Sequence, residues 1–329
     1  MALGVKMHLM SNPILRPANF PADLEPIVAV LTAARPHHPR SLGELQHDLY
    51  NLEPDLRPTF IVAELAGQIV GLTEWQRNAG AYHPQRCSLE LCVHPDVEGR
   101  GIGRLLWNAV EQDLSQLAML SVTVQVDEDH PRALLFAANN DFQELKRDFE
   151  SRLDVQNFDS SPFATLNTEL LERGVTLESW RVLDSPAFRH ELHEVFSVAR
   201  LDVPRSAPAT PISHEFFTEN ILGDPEFLWD ASFVAIKDAQ IVGFTGAYRS
   251  GAGGLVDQWL TAVSRESRGL RIALALKVKQ LAALRGLGFV TVRTDNDTRN
   301  AAMLAVNARL GFKQRVAVLV MQKDFALPS

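Results

Sequence analysis

The 329-residue sequence predicts an α/β (α+β) fold written twice in one chain. Three observations predict it. An apolar hairpin pattern at residues 60–73 returns at 233–245, where Ala63, Gln68, Ile69, Val70, Gly71 and Thr73 recur 172 residues on. A β-type run at residues 88–93 enters a glycine-dense turn, and a helical pattern (Leu105, Leu106, Ala109, Val110, Leu114) follows at once. A related turn comes 170 residues later, and Asp141-Phe142 and Gly311-Phe312 keep the same spacing. Near-constant offsets over three landmarks mean a duplicated domain, not a short-period solenoid.

Each copy reads in the same order. A first strand begins at Pro13 and at Val175, and one or two helices precede the hairpin. After the strand–turn–helix come β-branched runs at 121–126 and 289–294, each expected as a strand. A second helix and a final strand pair then close the copies at 142–155 and 312–325. The expected organisation is therefore a domain at 1–155, a linker at 156–174 and a domain at 175–329. The linker carries the Pro, Ser, Asp and Asn cluster of a loop. The proline-rich stretch 202–211 is either a loop lining a cleft or a surface excursion.

Composition narrows the function. With 46% hydrophobic and 22% charged residues, the chain fills two globular cores. A net charge of −8 without basic blocks argues against nucleic acid as a partner. No apolar run reaches the roughly 18–20 residues of a membrane helix. The first residues lack an apolar signal core, so a cytoplasmic chain is expected. The two cysteines, Cys87 and Cys92, fall on opposite faces of one strand, which speaks against a disulfide or a shared metal. His37-His38 and His190 with His193 lack the carboxylate or cysteine company of a metal site, so no metal is expected.

The turn carries the chemistry. Glycines let the backbone approach a bound group, and the first N–H groups of the following helix have no helical acceptor. Together with the positive end of the helix dipole they form an anion cradle. A dinucleotide fingerprint would need a third glycine, where Arg104 or Leu106 stands, and a phosphate loop would need Gly-Lys-Ser/Thr. Both are excluded.

With Val93-His94-Pro95-Asp96-Val97-Glu98-Gly99-Arg100-Gly101-Ile102-Gly103-Arg104 at its centre, this order of elements resembles the GCN5-related N-acetyltransferase (GNAT) superfamily. The resemblance covers nearly the whole chain and implies two tandem GNAT domains, each a mixed, mostly antiparallel sheet flanked by helices. It implies acetyl-CoA as co-substrate, its pyrophosphate held at Glu98, Gly99, Arg100, Gly101, Ile102, Gly103 and Arg104. The second cradle would use Arg268, Gly269, Leu270, Arg271, Ile272 and Ala273. The strand ends Cys92-Val93 and Ala262-Val263 would border the pantetheine, with the N–H near Val93 or Val263 on the thioester oxygen. Such a donor contributes roughly 3 to 4 kcal/mol when well aimed.

The chain departs from the family pattern in informative places. Glu98 stands where the family has Arg or Gln, and a carboxylate about 6 Å from a phosphate costs roughly 0.7 to 3 kcal/mol. Either Arg100 and Arg104, which flank it, offset that charge, or Glu98 points to water. Arg271 replaces the middle glycine. Either it takes positive φ, at about 1 kcal/mol, with its guanidinium free to reach the 3′-phosphate or pyrophosphate, or it keeps ordinary dihedrals with its guanidinium in solvent. The family's proton-donating Tyr, five residues before the Phe of Gly-Phe, is replaced by Ala137 and Asn307. Asn307 then serves as a hydrogen-bond donor to the thioester sulfur or as a packed amide, and Asn300 as a cofactor contact or a helix cap. Glu90 on the first cradle strand is the candidate base, ahead of Asp257, and Tyr248 is a candidate acid or a packed tyrosine.

The expected activity is direct transfer of acetyl from acetyl-CoA to a primary amine of a small molecule, with catalysis in one lobe. The chain would be a monomer, as an intrachain pseudo-dimer, or a homodimer. Two alternatives remain: a non-catalytic acyl-CoA sensor or scaffold, and an acyltransferase acting on a protein N-terminus or an antibiotic.

Overall fold

The computed structural model describes residues 12–203, 208–251 and 253–325. The first residues, read above for a signal core, and 204–207 of the proline-rich stretch lie outside them. The described residues fall into two compact units. One comprises 12–126, 132–144 and 320–325; the other comprises 127–131 and those within 145–319.

In the first unit the order is β1 (Ile14–Pro17), α1 (Leu24–Ala34), α2 (Leu42–Tyr50), β2 (Thr59–Leu65), β3 (Gln68–Gln76), β4 (Arg86–Val93), α3 (Ile102–Gln116), β5 (Ser121–Asp127) and α4 (Pro131–Asn139). The sheet runs β1-β2-β3-β4-β5. Its pairs are antiparallel except β4 with β5, which is parallel. Alternation sorts the side chains by face. Phe60, Val62, Leu72 and Cys92 pack under α1 and α2, while Ala63, Leu65 and Val70 pack with Ile102 and Leu106 of α3. Each such large apolar side chain contributes roughly 1.5 to 3 kcal/mol on burial. A capping box starts α2: the Ser41 hydroxyl accepts from the Glu44 N–H at 3.0 Å, and Glu44 accepts from the Ser41 N–H at 2.5 Å.

The second unit opens with β6 (Gln143–Asp154), which belongs to it from Leu145 onward. Then come α5 (Leu166–Leu171), β7 (Val175–Ser179), α6 (Trp180–Leu183), α7 (Pro186–Ala199) and α8 (His214–Phe216), which runs into a π-type turn at Phe217–Ile221. β8 (Phe233–Lys237), β9 (Gln240–Ser250), β10 (Leu255–Val263), α9 (Ile272–Gly286), β11 (Thr291–Asp297), α10 (Ala301–Leu310) and β12 (Lys313–Asp324), which belongs to this unit as far as Leu319, follow. The sheet runs β6-β11-β10-β9-β8-β7, again antiparallel except for β10 with β11. Both sheets are mixed and mostly antiparallel, as the resemblance implies.

Two features of the repeat now have a cause. A Cβ at Gly71 would meet the Cys92 carbonyl and a Leu106 methyl at 3.1 Å. At Gly243 it would meet the Ala262 carbonyl at 3.0 Å and Ile272 at 3.2 Å. Only glycine lets the hairpin lie this close to the cradle strand and helix. The parallel pairs are also short. β4 and β5 are in register only over Arg86–Ser88 against Ser121–Thr123, and β10 and β11 only over Leu255–Asp257 against Thr291–Arg293. Beyond those residues each cradle strand parts from its neighbour.

Candidate active site

The first cradle is built as the glycines require. A 3₁₀ turn at Pro95–Val97 leads to Gly99 and Gly101 at φ 75° and 83°, and α3 begins at Ile102 with no side chain capping it. Among the described residues no acceptor takes the N–H groups of residues 99–104. A Cβ at Gly101 would meet nothing within 4 Å, so the turn opens on free space. The Glu98 carboxylate accepts from Arg132 of α4 at 2.9 Å. Its charge is therefore offset by Arg132 and not, as one of the two expectations had it, by Arg100 and Arg104. Arg100 instead reaches the Asp96 carbonyl at 3.5 Å.

The strand before this turn also offers a donor. The His94 N–H donates to the Val70 carbonyl at 2.8 Å, so the next pair, Val93 opposite Gly71, is a non-hydrogen-bonded one. The Val93 N–H consequently faces the side from which β5 has parted. The second copy repeats this, with Ser264 donating to Val242 at 2.8 Å and Val263 opposite Gly243. Cys92 points to the other face, under α1 and α2, where burial pushes its thiol well above its usual value. Cys87 is likewise buried and free.

The second cradle keeps the backbone and changes the charges. Gly269 and Arg271 take φ 81° and 66°, so Arg271 does adopt the left-handed region. Its guanidinium donates to Glu169 of α5 at 2.8 Å and is not free in solvent. Asp202 accepts from Arg265 at 2.5 Å and from Arg268, and the two arginines hold its carboxyl well below the usual range. Arg268 also donates to the Val263 carbonyl at 3.2 Å. Leu270 is half-buried, Ile272 is buried and Ala273 sits in the first turn of α9.

On the α1–α2 face of the first unit, carboxylates gather. Glu90 of β4 lies directly opposite Glu74 of β3 and accepts from Arg35 at 2.9 Å. Glu74, 4% exposed, accepts twice from Arg40, at 2.7 and 2.8 Å. Arg40 also donates to Asp48 at 2.5 Å. Burial, with the Glu90 charge, pushes Glu74 up to about 7 against the pull of Arg40. Sequence reading missed Glu74 although it left a signal: a lone carboxylate amid the buried run Leu72, Thr73 and Trp75.

Residues 27–142 match the acetyltransferase (GNAT) family. Over 277 residues the chain is 26% identical to a mycothiol acetyltransferase of Stackebrandtia nassauensis, covering 83% of this chain and 84% of that one. A tandem GNAT protein from the clavulanic acid biosynthesis pathway has the same fold, with a TM-score of 0.75 at 21% identity over 97% of this chain and 100% of that one. A GCN5-related N-acetyltransferase from Sphaerobacter thermophilus gives 0.66 at 18% identity, over 95% of each chain. Residues 27–142 are a GNAT acetyltransferase domain, and the chain as a whole has the tandem GNAT fold. Acetyl transfer is its chemistry, and the family uses acetyl-CoA.

In this GNAT protein the remaining candidates are engaged elsewhere. The Tyr248 hydroxyl donates to the Ile221 carbonyl at 3.1 Å, its ring packs on Phe227, and burial raises its pKa well above 10. A phenol so committed matches the packed tyrosine of the two expectations for Tyr248. Asn307, 2% exposed, donates to Asn296 at 2.6 Å and accepts from Lys277 at 2.7 Å, so its amide holds a buried network. Lys277 also donates to Gln258, and burial lowers it to about 7. Asn300 caps α10, accepting from the Met303 N–H at 3.3 Å. Asp257 is paired with Arg293 at 2.5 and 2.6 Å. Among the described residues no cluster of three or more His, Cys, Asp or Glu is placed to hold a metal ion, and no helix is long and apolar enough to cross a membrane.

Proposed function

We propose that this GNAT protein transfers acetyl from acetyl-CoA directly to the primary amine of a small molecule, and that its first lobe does so. The lobes of this reading are the sequence copies 1–155 and 175–329, joined by 156–174. Among the described residues both cradles leave their N–H groups, 99–104 and 269–274, without an acceptor; one observation carries the choice of lobe, that the first turn opens on free space at Gly101 where the second holds Arg271 tied to Glu169. An anion at such a helix entrance gains about 0.3 to 1 kcal/mol, and up to about 2 when partly buried. The pyrophosphate would lie there, between Glu98 and Arg104. The Val93 N–H would meet the thioester oxygen, where charge develops during attack. Glu90 would take the proton that the amine must lose before it attacks.

The second cradle supports the same choice by contrast. Arg265 and Arg268 are engaged by Asp202, and Arg271 by Glu169. A coenzyme at residues 262–263 and 268–273 would have to displace those carboxylates, so we assign it a weaker hold there. Asn300 and Asn307 are engaged in a cap and a buried network. We therefore keep the sensor or scaffold role for the second lobe alone. The same reading keeps the chain cytoplasmic, a monomer or homodimer, without nucleic acid, membrane or metal.

The test is steady-state release of coenzyme A with a panel of small primary amines, an aminoglycoside and an N-terminal peptide. Amine-dependent release is the expected result, and its acceptor preference separates the alternatives. Acetyl-CoA binding without release by any of them would leave the whole chain a sensor.

A further inference from the structure

The segment joining α1 to α2 lays two arginines over two carboxylates. Glu74 and Glu90 are direct cross-strand partners, which places their Cβ atoms about 4.5 to 5.5 Å apart on one face of the sheet. Arg40 holds Glu74 and Asp48; Arg35, the residue after α1, holds Glu90. His47 stands beside Asp48 on α2, and the Cys92 thiol lies 3.6 Å from a Glu90 oxygen. The Glu74 side chain is 4% exposed and that of Glu90 is 23%, so Glu90 is the carboxylate that can meet a substrate.

Glu74, Glu90 and Asp48 thus meet Arg40 and Arg35, with His47 beside Asp48 and His37 and His38 on the same connecting segment. Buried charge without a counter-charge is unfavourable, and two neighbouring carboxylates resist being ionised together. The cluster is balanced in two ways: one carboxylate holds a proton, or a cation from outside lies against Glu90. A protonated amine supplies both in succession.

We propose that Glu74 is a positioning residue that makes Glu90 bind the acceptor as an ammonium ion and keep one of its protons. This rests on the acetyl-transfer reading above and narrows its substrate to an aliphatic primary amine that arrives charged. The ammonium gives one proton to the carboxylate pair and becomes a free amine. That amine attacks the acetyl carbonyl, the N–C bond forms and the C–S bond breaks. A second proton from the same nitrogen ends on the coenzyme sulfur, giving thiol, amide and one proton left on the pair. Burial and the adjacent Glu90 charge push Glu74 up to about 7, so Glu74 is the member of the pair that exchanges that proton near neutrality.

The pH profile of kcat/KM for one aliphatic amine, in the wild type and in Glu74→Gln, tests this. In the wild type the acidic limb is expected near pH 7. In Glu74→Gln it moves at least one pH unit toward acid, kcat at neutral pH falls at least tenfold, and KM for acetyl-CoA is unchanged. Asp48→Asn removes one negative charge from the same cluster and should move the limb in the same direction. A folded Glu74→Gln with an unmoved limb overturns the proposal while acetyl transfer stands. A wild type inactive on every amine overturns both. If Glu74→Gln does not fold, infrared difference spectra of the wild type decide. A protonated carboxyl band lost between pH 6 and 8 supports the shared proton, and its absence overturns it.

Discussion

Gly101 and Arg271 hold the same left-handed backbone, φ 83° and 66°, at the entrances of α3 and α9. The turn is therefore conserved in shape between the copies, while one copy carries a side chain whose φ costs about 1 kcal/mol. What differs is what fills the turn: open space before Gly101, and an arginine tied to Glu169 at the other.

Gly101→Asp places a carboxylate in the first cradle. Isothermal calorimetry is expected to show acetyl-CoA affinity at least tenfold lower than in the wild type. Unchanged affinity and stoichiometry in the folded variant would remove the first-lobe assignment.

The wild type is expected to bind one acetyl-CoA per chain. Asp202→Asn releases Arg265 and Arg268 from their shared carboxylate, so a second, weaker binding event should appear in the same titration. A wild type that already binds two with similar affinity would contradict the blocking role of Asp202.

Lys277 predicts a pH dependence of stability. Its folded value of about 7 lies below the usual 10.5, so between those limits the unfolded chain binds the extra proton. Stability therefore rises with pH across that window, on the order of 1 kcal/mol per unit from this group. Urea unfolding at pH 7 and pH 9 should show the rise, and Lys277→Met should flatten it. An equal slope in the variant would mean that the amine stays charged in the fold.

Two glycines should respond in opposite directions. Gly71→Ala pushes a methyl against the Cys92 carbonyl and Leu106, at an expected loss of about 1 to 3 kcal/mol. Gly286→Ala, at the exposed end of α9 with nothing within 4 Å, should gain about 0.5 to 1 kcal/mol. Thermal denaturation of the pair checks both signs.

Asn300→Ala separates a cap from a cofactor contact. Losing the bond from the Met303 N–H should cost about 1 kcal/mol of stability and leave acetyl-CoA affinity unchanged. A drop in affinity would return Asn300 to the coenzyme.

The repeat, the hairpins and both cradles were legible because their signals are local: a glycine that needs positive φ, a period of two, a turn before a helix. Asn300 and Tyr248 each kept two readings until their partners, Met303 and Ile221, were in view. What stayed hidden depends on distant partners. Glu74 meets Arg40 across 34 residues, Glu98 meets Arg132 across 34 and Asp202 meets Arg268 across 66. The close of the first copy, 142–155, is expected as a strand pair and forms the single strand β6, and nothing in it says that Asp148–Asp154 will pair with β11.

That last pairing bears on how the chain could be divided. Most of β6 lies in the second unit, although it ends the first sequence copy. A cut within 156–174 would leave β11 without its partner Asp148–Asp154 of β6, a bare ladder edge prone to self-association. The C-terminal fragment is therefore expected to be insoluble alone and to gain solubility when a segment bearing β6 is co-expressed, so the end of the first sequence copy is not where the second folded unit begins.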